Sequence, residues 1–92
     1  MQPGDVLIGV DFGDGIYKGF AGRRFIMKGY CITPSMKEDR CIYALPDGWA
    51  PVGKEGEGFE PDGSITFYAS RFKVDKFLTA ARKVKQNGIQ EG

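Results

Sequence analysis

Ninety-two residues leave room for one domain built on one modest core, because separate cores rarely fit in so short a chain. Thirteen Lys and Arg against twelve Asp and Glu give a net charge of +1, and 41% of the residues are hydrophobic; together these exclude the highly charged, weakly hydrophobic composition of a disordered chain. The absence of histidine excludes a Ser–His or Cys–His nucleophile pair and an imidazole proton shuttle.

Fourteen Gly and five Pro point to many tight turns and a β-rich chain. Residues 5–12 are a short apolar run of strand-forming type, closed by Gly13-Asp14-Gly15. Residues 16–21 alternate apolar and polar through Ile16, Lys18 and Phe20. An Asp-Gly step between two such runs signals a hairpin, since Gly accepts the positive φ of the turn. A third strand is expected over 24–32, with Gly22 as turn or bulge. A polar connection at 33–39 carries one helical turn at 35–39. A fourth strand spans 40–45 and stops at Pro46-Asp47-Gly48. A short strand at 49–52 precedes a Gly-rich acidic loop at 53–63, and a further strand follows at 64–69.

The last third reads as helix over 70–87. With Ser70 as N-cap, Val74, Phe77, Leu78, Ala81 and Val84 fall at the spacing of one apolar face turned to the core. Asn87-Gly88 supplies the stop, leaving 88–92 as a flexible tail. The expected fold is α+β within a single domain, 1–92. A β-rich meander over 1–69 forms an antiparallel sheet of about five strands, open or rolled into a small, partly closed barrel. One C-terminal amphipathic helix packs on it.

Ile8-Gly9-Val10-Asp11-Phe12-Gly13-Asp14-Gly15 resembles the first phosphate-binding hairpin of the actin and sugar-kinase superfamily. There an apolar strand ends in Asp-x-Gly, the Asp helps hold a metal, and the turn wraps nucleotide phosphates. The chain departs from that pattern at Asp14, where a hydroxyl residue is usual and a carboxylate repels phosphate. It also lacks room for the two large domains and remaining nucleotide motifs of the family. The segment therefore reads as an ordinary hairpin, and no ATPase activity is expected.

Other chemistries leave few candidates. Asp11 and Asp14 flank one turn, and Glu55, Glu57, Glu60 and Asp62 share a Gly-rich loop. Solvated carboxylates of this kind lack the burial that divides acid from base roles, and their spacing is not that of a calcium loop. Cys31 and Cys41 are too few for a disulfide scaffold and lack CxxC spacing. They read as reduced thiols, although neighbouring strands would let them pair. No catalytic residue, metal or cofactor is expected. With no secretory leader visible and no apolar run of about 20 residues, the expectation is a cytoplasmic chain that stays off the membrane.

Charge is the more informative signal. Residues 46–63 carry five acids and one base, and residues 70–86 carry six bases and one acid, so the near-neutral total hides a polar molecule. Opposed charged surfaces steer and orient docking, and Trp is frequent at binding hot spots. The expectation is a non-enzymatic module that binds a larger protein through Trp49, Lys76, Thr79, Arg82 and Lys83. Accessory or inhibitory factors of phage and mobile elements often have this size, a weak analogy. The alternative is nucleic-acid binding by Arg23, Arg24, Lys28, Lys76 and Lys83, with bases stacking on aromatics while cations follow phosphates.

Overall fold

The computed structural model describes residues 1–31, 40–51 and 59–91, with helix side chains as far as Val84. The helical turn expected at 35–39 and most of the acidic loop therefore lie outside the described residues. Among the described residues there are five strands: β1 (Val6–Gly9), β2 (Arg24–Tyr30), β3 (Cys41–Pro46), β4 (Ile65–Tyr68) and β5 (Phe72–Val74). One helix follows, α1 (Lys76–Glu91). Every neighbouring pair is antiparallel, and the order is β4-β3-β2-β1-β5. The α+β fold with a five-strand antiparallel sheet is as the sequence implies.

That order has a geometric consequence. β4 and β5 are opposite edges of the sheet, yet only the 3-10 turn Ala69–Arg71 joins them. Four Cα steps reach at most about 14 Å, whereas the outer strands of a flat five-strand sheet stand about 19 Å apart. The sheet must therefore roll until its edges approach, although its hydrogen-bonded order stays open.

The interior of the roll holds the core: Leu7, Phe12, Phe20, Phe25, Met27, Ile42, Ala44, Ile65 and Phe72 are all buried. Strand alternation delivers them, as in β3, where Ile42 and Ala44 point inward and Tyr43 outward. Six of the seven phenylalanines join this cluster, with Phe59 and Phe67 packed at its border. Phe20 stands at its centre, edge-on to Phe12 at 5.6 Å and Phe25 at 5.8 Å. Such edge-to-face pairs each contribute about 0.5–1.5 kcal/mol beyond area burial.

Four expectations are corrected. Residues 16–21 form no strand: β1 ends at Gly9, and the chain to β2 passes through the 3-10 turn Lys18–Phe20, which drives Phe20 into the core. Gly9 donates to the Arg23 carbonyl and Gly22 to that of Gly9, closing this long connection at its base. The strand expected at 49–52 is absent from its described part, 49–51. Residues 70–75, read as the first helical turns, instead form the end of the 3-10 turn and β5; the ladder of β1 claims Phe72–Val74, a tertiary preference that local periodicity does not report. The helix begins at Lys76 and runs through Gly88 to Glu91, so the expected stop and the tail over 88–91 give way to helix.

The helix is also turned about its axis. Phe77 is 81% exposed and Val84 70% exposed, while Thr79 is buried and Leu78 and Arg82 are half-buried. At about 100° per residue, the expected core stripe of Phe77, Ala81 and Val84 lies on the side away from the sheet. The physical reason is the polar docking of the first turn: Thr79 is held to β1 through the Val6 amide, which sets Leu78 and Arg82 on the sheet side.

Candidate binding surface

The first turn of α1 is fixed by polar contacts. Asp75, not Ser70, is its cap: Asp75 Oδ1 accepts the Leu78 amide at 2.8 Å, and the Asp75 carbonyl accepts the Thr79 amide at 3.0 Å. Thr79 Oγ1 donates to the same carbonyl at 2.7 Å and accepts the Val6 amide of β1 at 2.9 Å. Thr79 is thus a buried anchor and not a surface contact, which corrects its assignment to the binding set. Arg82 follows it on the sheet side, half-buried, its Nε without a partner among the described residues.

With that side docked, α1 presents Phe77, Ala80, Ala81 and Val84 to solvent, all of them exposed. Lys76 and Lys83 are exposed along one flank of this stripe, as the seven-residue spacing requires. Lys73 of β5 adds a further exposed base beside the helix start.

A groove of about 340 Å³ lies next to the first helical turn. It is lined by Ile8, Gly22, Arg23, Arg24, Asp47, Gly48, Trp49 and Leu78. Gly48, at φ +79°, turns the chain sharply after β3, a conformation that glycine accepts without cost. That turn brings Trp49 back over β2. Its Nε1–H donates to the Arg24 carbonyl at 2.6 Å, and its ring packs edge-on against Phe25 at 5.3 Å and Phe20 at 5.6 Å. The Arg23 guanidinium stacks over the outer face of the indole at 5.1 Å. Arg24 pairs with Asp47 at 3.2 Å. Trp49 is therefore a half-buried wall of the groove and a border of the core.

The basic strand residues do not form one footprint. Arg23 and Arg24 share the groove beside α1, but Lys28 lines a second depression of about 380 Å³ with Tyr43, Glu60, Pro61, Asp62 and Ser64. Two carboxylates therefore stand beside Lys28. Asp62 is held below the usual carboxylate range, first by the Ser64 hydroxyl at 2.6 Å and then by the Ser64 amide at 2.9 Å. Tyr43 is raised above its ordinary value, first by electrostatic repulsion from the neighbouring Cys31 and then by hydrogen bonding to it.

Asp11, the acid of the Asp-x-Gly segment, accepts the Gly13 amide at 2.9 Å in a local turn, and its carbonyl accepts from Arg71 at 2.9 Å. Gly9 serves packing: a Cβ there would run into the Phe20 carbonyl oxygen and lie 2.8 Å from the Phe12 ring. Among the described residues, no group of three or more His, Cys, Asp or Glu side chains is placed to hold a metal ion. No helix among the described residues is long and apolar enough to cross a membrane. Sequence reasoning missed Phe77 and Val84 as surface residues because their periodicity is the same for a buried and a displayed face. Compared with known protein families, curated proteins and solved structures, the chain matches none.

Proposed function

We propose that this chain is a non-enzymatic binding module that docks on a larger protein through α1, as an accessory or inhibitory factor in the cytoplasm. The observation that carries the reading is Phe77, the one phenylalanine outside the core, 81% exposed on a helix whose opposite side is pinned to β1. An exposed large apolar residue continuing into Ala80, Ala81 and Val84 is a contiguous patch of the kind that marks interaction sites. Lys76 and Lys83 along its flank favour a partner with an apolar pocket rimmed by carboxylates, a complementarity that sets orientation and association rate. Arg23 and the groove beside Leu78 extend the same surface.

The separation of Lys28 from Arg23 and Arg24 by two different depressions, with Glu60 and Asp62 beside Lys28, argues against a continuous phosphate track. Nucleic acid is therefore an outcome of the test and not a second reading. The experiment compares capture from a lysate by wild type, by the Phe77→Ser/Val84→Ser pair and by the Lys76→Glu/Lys83→Glu pair. Proteins retained by wild type and lost with both pairs support the proposal; a central anchor of this kind costs about 2 kcal/mol or more when truncated, or about 30-fold in affinity. Capture unchanged in both pairs overturns it. Binding of labelled DNA or RNA that falls steeply with salt and drops further in the Lys76→Glu/Lys83→Glu pair would replace it with the nucleic-acid reading.

A further inference from the structure

Cys31 and Cys41 face each other across the β2–β3 ladder. The registered pairs Gly29↔Tyr43 and Tyr30↔Ile42 place them opposite one another one step further on, and the Cys31 amide donates to the Cys41 carbonyl at 3.0 Å. Directly opposed residues share a face of the sheet. Here it is the outer face, since Ile42 and its partner Tyr30 pack on the core side. Both cysteines stand as thiols. Cys31 is 4% exposed, whereas Cys41 is only half-buried.

We propose that Cys31 and Cys41 form a dithiol site that closes to a cross-strand disulfide by exchange with a small-molecule disulfide of the oxidised-glutathione class. Hydrogen-bonded residues directly opposite in an antiparallel ladder have Cα atoms about 5.5 Å apart, inside the disulfide range of about 4.4–6.8 Å. Their Cβ atoms stand about 4.5–5.5 Å apart, against about 3.5–4.5 Å in a disulfide. Closure therefore needs a small inward movement, and the strained bond it makes is readily reduced. That is the behaviour of a reversible site and not of a permanent staple.

The exposure difference sets the order of events. The accessible Cys41 thiolate attacks one sulfur of the small disulfide, forming a mixed disulfide and releasing one small thiolate. The buried Cys31 thiolate then attacks the Cys41 sulfur, forming the Cys31–Cys41 bond and expelling the second small thiolate. Two protein thiols are oxidised, one small disulfide is reduced to two thiols, and the two protons end on those products.

The test incubates the folded protein with oxidised glutathione, quenches with an alkylating agent and reads intact mass. Wild type is expected to lose two hydrogens with no bound glutathione, and reduced glutathione should restore both thiols. Cys31→Ser should accumulate one glutathione on Cys41, because the resolving thiol is gone. Cys41→Ser should react far more slowly than either, since only the buried thiol remains. Wild type that accumulates a stable glutathione adduct, forms only disulfide-linked dimers or stays reduced at every glutathione ratio would overturn the proposal. So would a Cys41→Ser variant that reacts as fast as Cys31→Ser.

Discussion

Thr79 Oγ1 accepts the backbone amide of Val6 at 2.9 Å across 73 residues of sequence, while donating to the Asp75 carbonyl one turn earlier. One hydroxyl thus joins the last element to the first. The amide of Val6 is buried and has this oxygen as its partner, so the contact answers a demand of the sheet as well as of the helix. Because docking is achieved by a hydroxyl, a capped turn and Leu78, the apolar stripe of α1 remains available for another surface.

Thr79→Val keeps the shape and removes the acceptor. Leaving the Val6 amide buried and unsatisfied should cost about 1–3 kcal/mol in chemical unfolding. Thr79→Ser retains the oxygen and should lose less than half as much. Equal losses in the two variants would show that the methyl, not the hydroxyl, does the anchoring.

Phe77 and Phe20 separate display from packing. Phe20 is fully buried at the centre of the ring cluster, and Phe20→Ala should cost about 3–5 kcal/mol. Phe77→Ser should alter stability by no more than about 0.5 kcal/mol while weakening capture of a partner. A Phe77→Ser variant as unstable as Phe20→Ala would mean that the stripe is packed in solution.

Trp49 is the sole tryptophan, so its fluorescence reports unfolding directly. Trp49→Phe removes the hydrogen bond to Arg24, but that carbonyl keeps the Asp47 amide at 3.0 Å. The cost should stay near about 0.5–1.5 kcal/mol. Trp49→Ala also opens the border of the core beside Phe25 and should approach about 3 kcal/mol. Comparable losses for Phe and Ala would place the stabilisation in the hydrogen bond and not in the ring contacts.

The fold was legible where one element's pattern decides one outcome. β2, β3 and β4 fall within two residues of their expected bounds, because alternating burial and Gly-containing turns act locally. β5 was not legible: Phe72-Lys73-Val74 is strand only because the rolled sheet offers an unpaired edge of β1, a fact about residues some 65 positions away in the register Leu7↔Val74. The helix face was misread for a related reason. Periodicity places Phe77 and Val84 on one stripe but carries no sign for inside or outside, and only the docking of Thr79 on the Val6 amide decides it. Among the candidate residues, Lys76 and Lys83 lie on the surface as their charge implies, whereas Thr79 changed role once its hydroxyl found the Val6 amide.

Asp62 should give the molecule an acid-sensitive loop closure. Its carboxylate accepts the Ser64 hydroxyl and amide, which lower its folded value below the ordinary 3.8. Between those two values the unfolded chain binds more protons than the folded one, so stability rises with pH there. The contribution is present above the unfolded value and is lost as pH falls through the folded one. Thermal midpoints should therefore drop below about pH 4, and the drop should be shallower in Asp62→Asn. Parallel curves for the two proteins would rule out this carboxylate as the cause.

Gly9 tests whether the Asp-x-Gly segment is built for packing or for a ligand. Its Cα faces the Phe20 backbone so closely that a methyl would meet the Phe20 carbonyl oxygen, with the Phe12 ring 2.8 Å away. Neither neighbour can yield freely: Phe20 ends the 3-10 turn that closes the β1–β2 connection, and Phe12 is locked edge-on to Phe20, Phe67 and Phe72. Gly9→Ala should therefore destabilise more than the about 1–3 kcal/mol typical of overpacking. Gly13→Ala, with open space around its Cβ but a positive φ of 71°, should show only backbone strain, about 1–2 kcal/mol. If Gly9→Ala unfolds at the same denaturant concentration as wild type, the close approach of β1 to Phe20 is wrong, and with it the account of why this segment carries glycine.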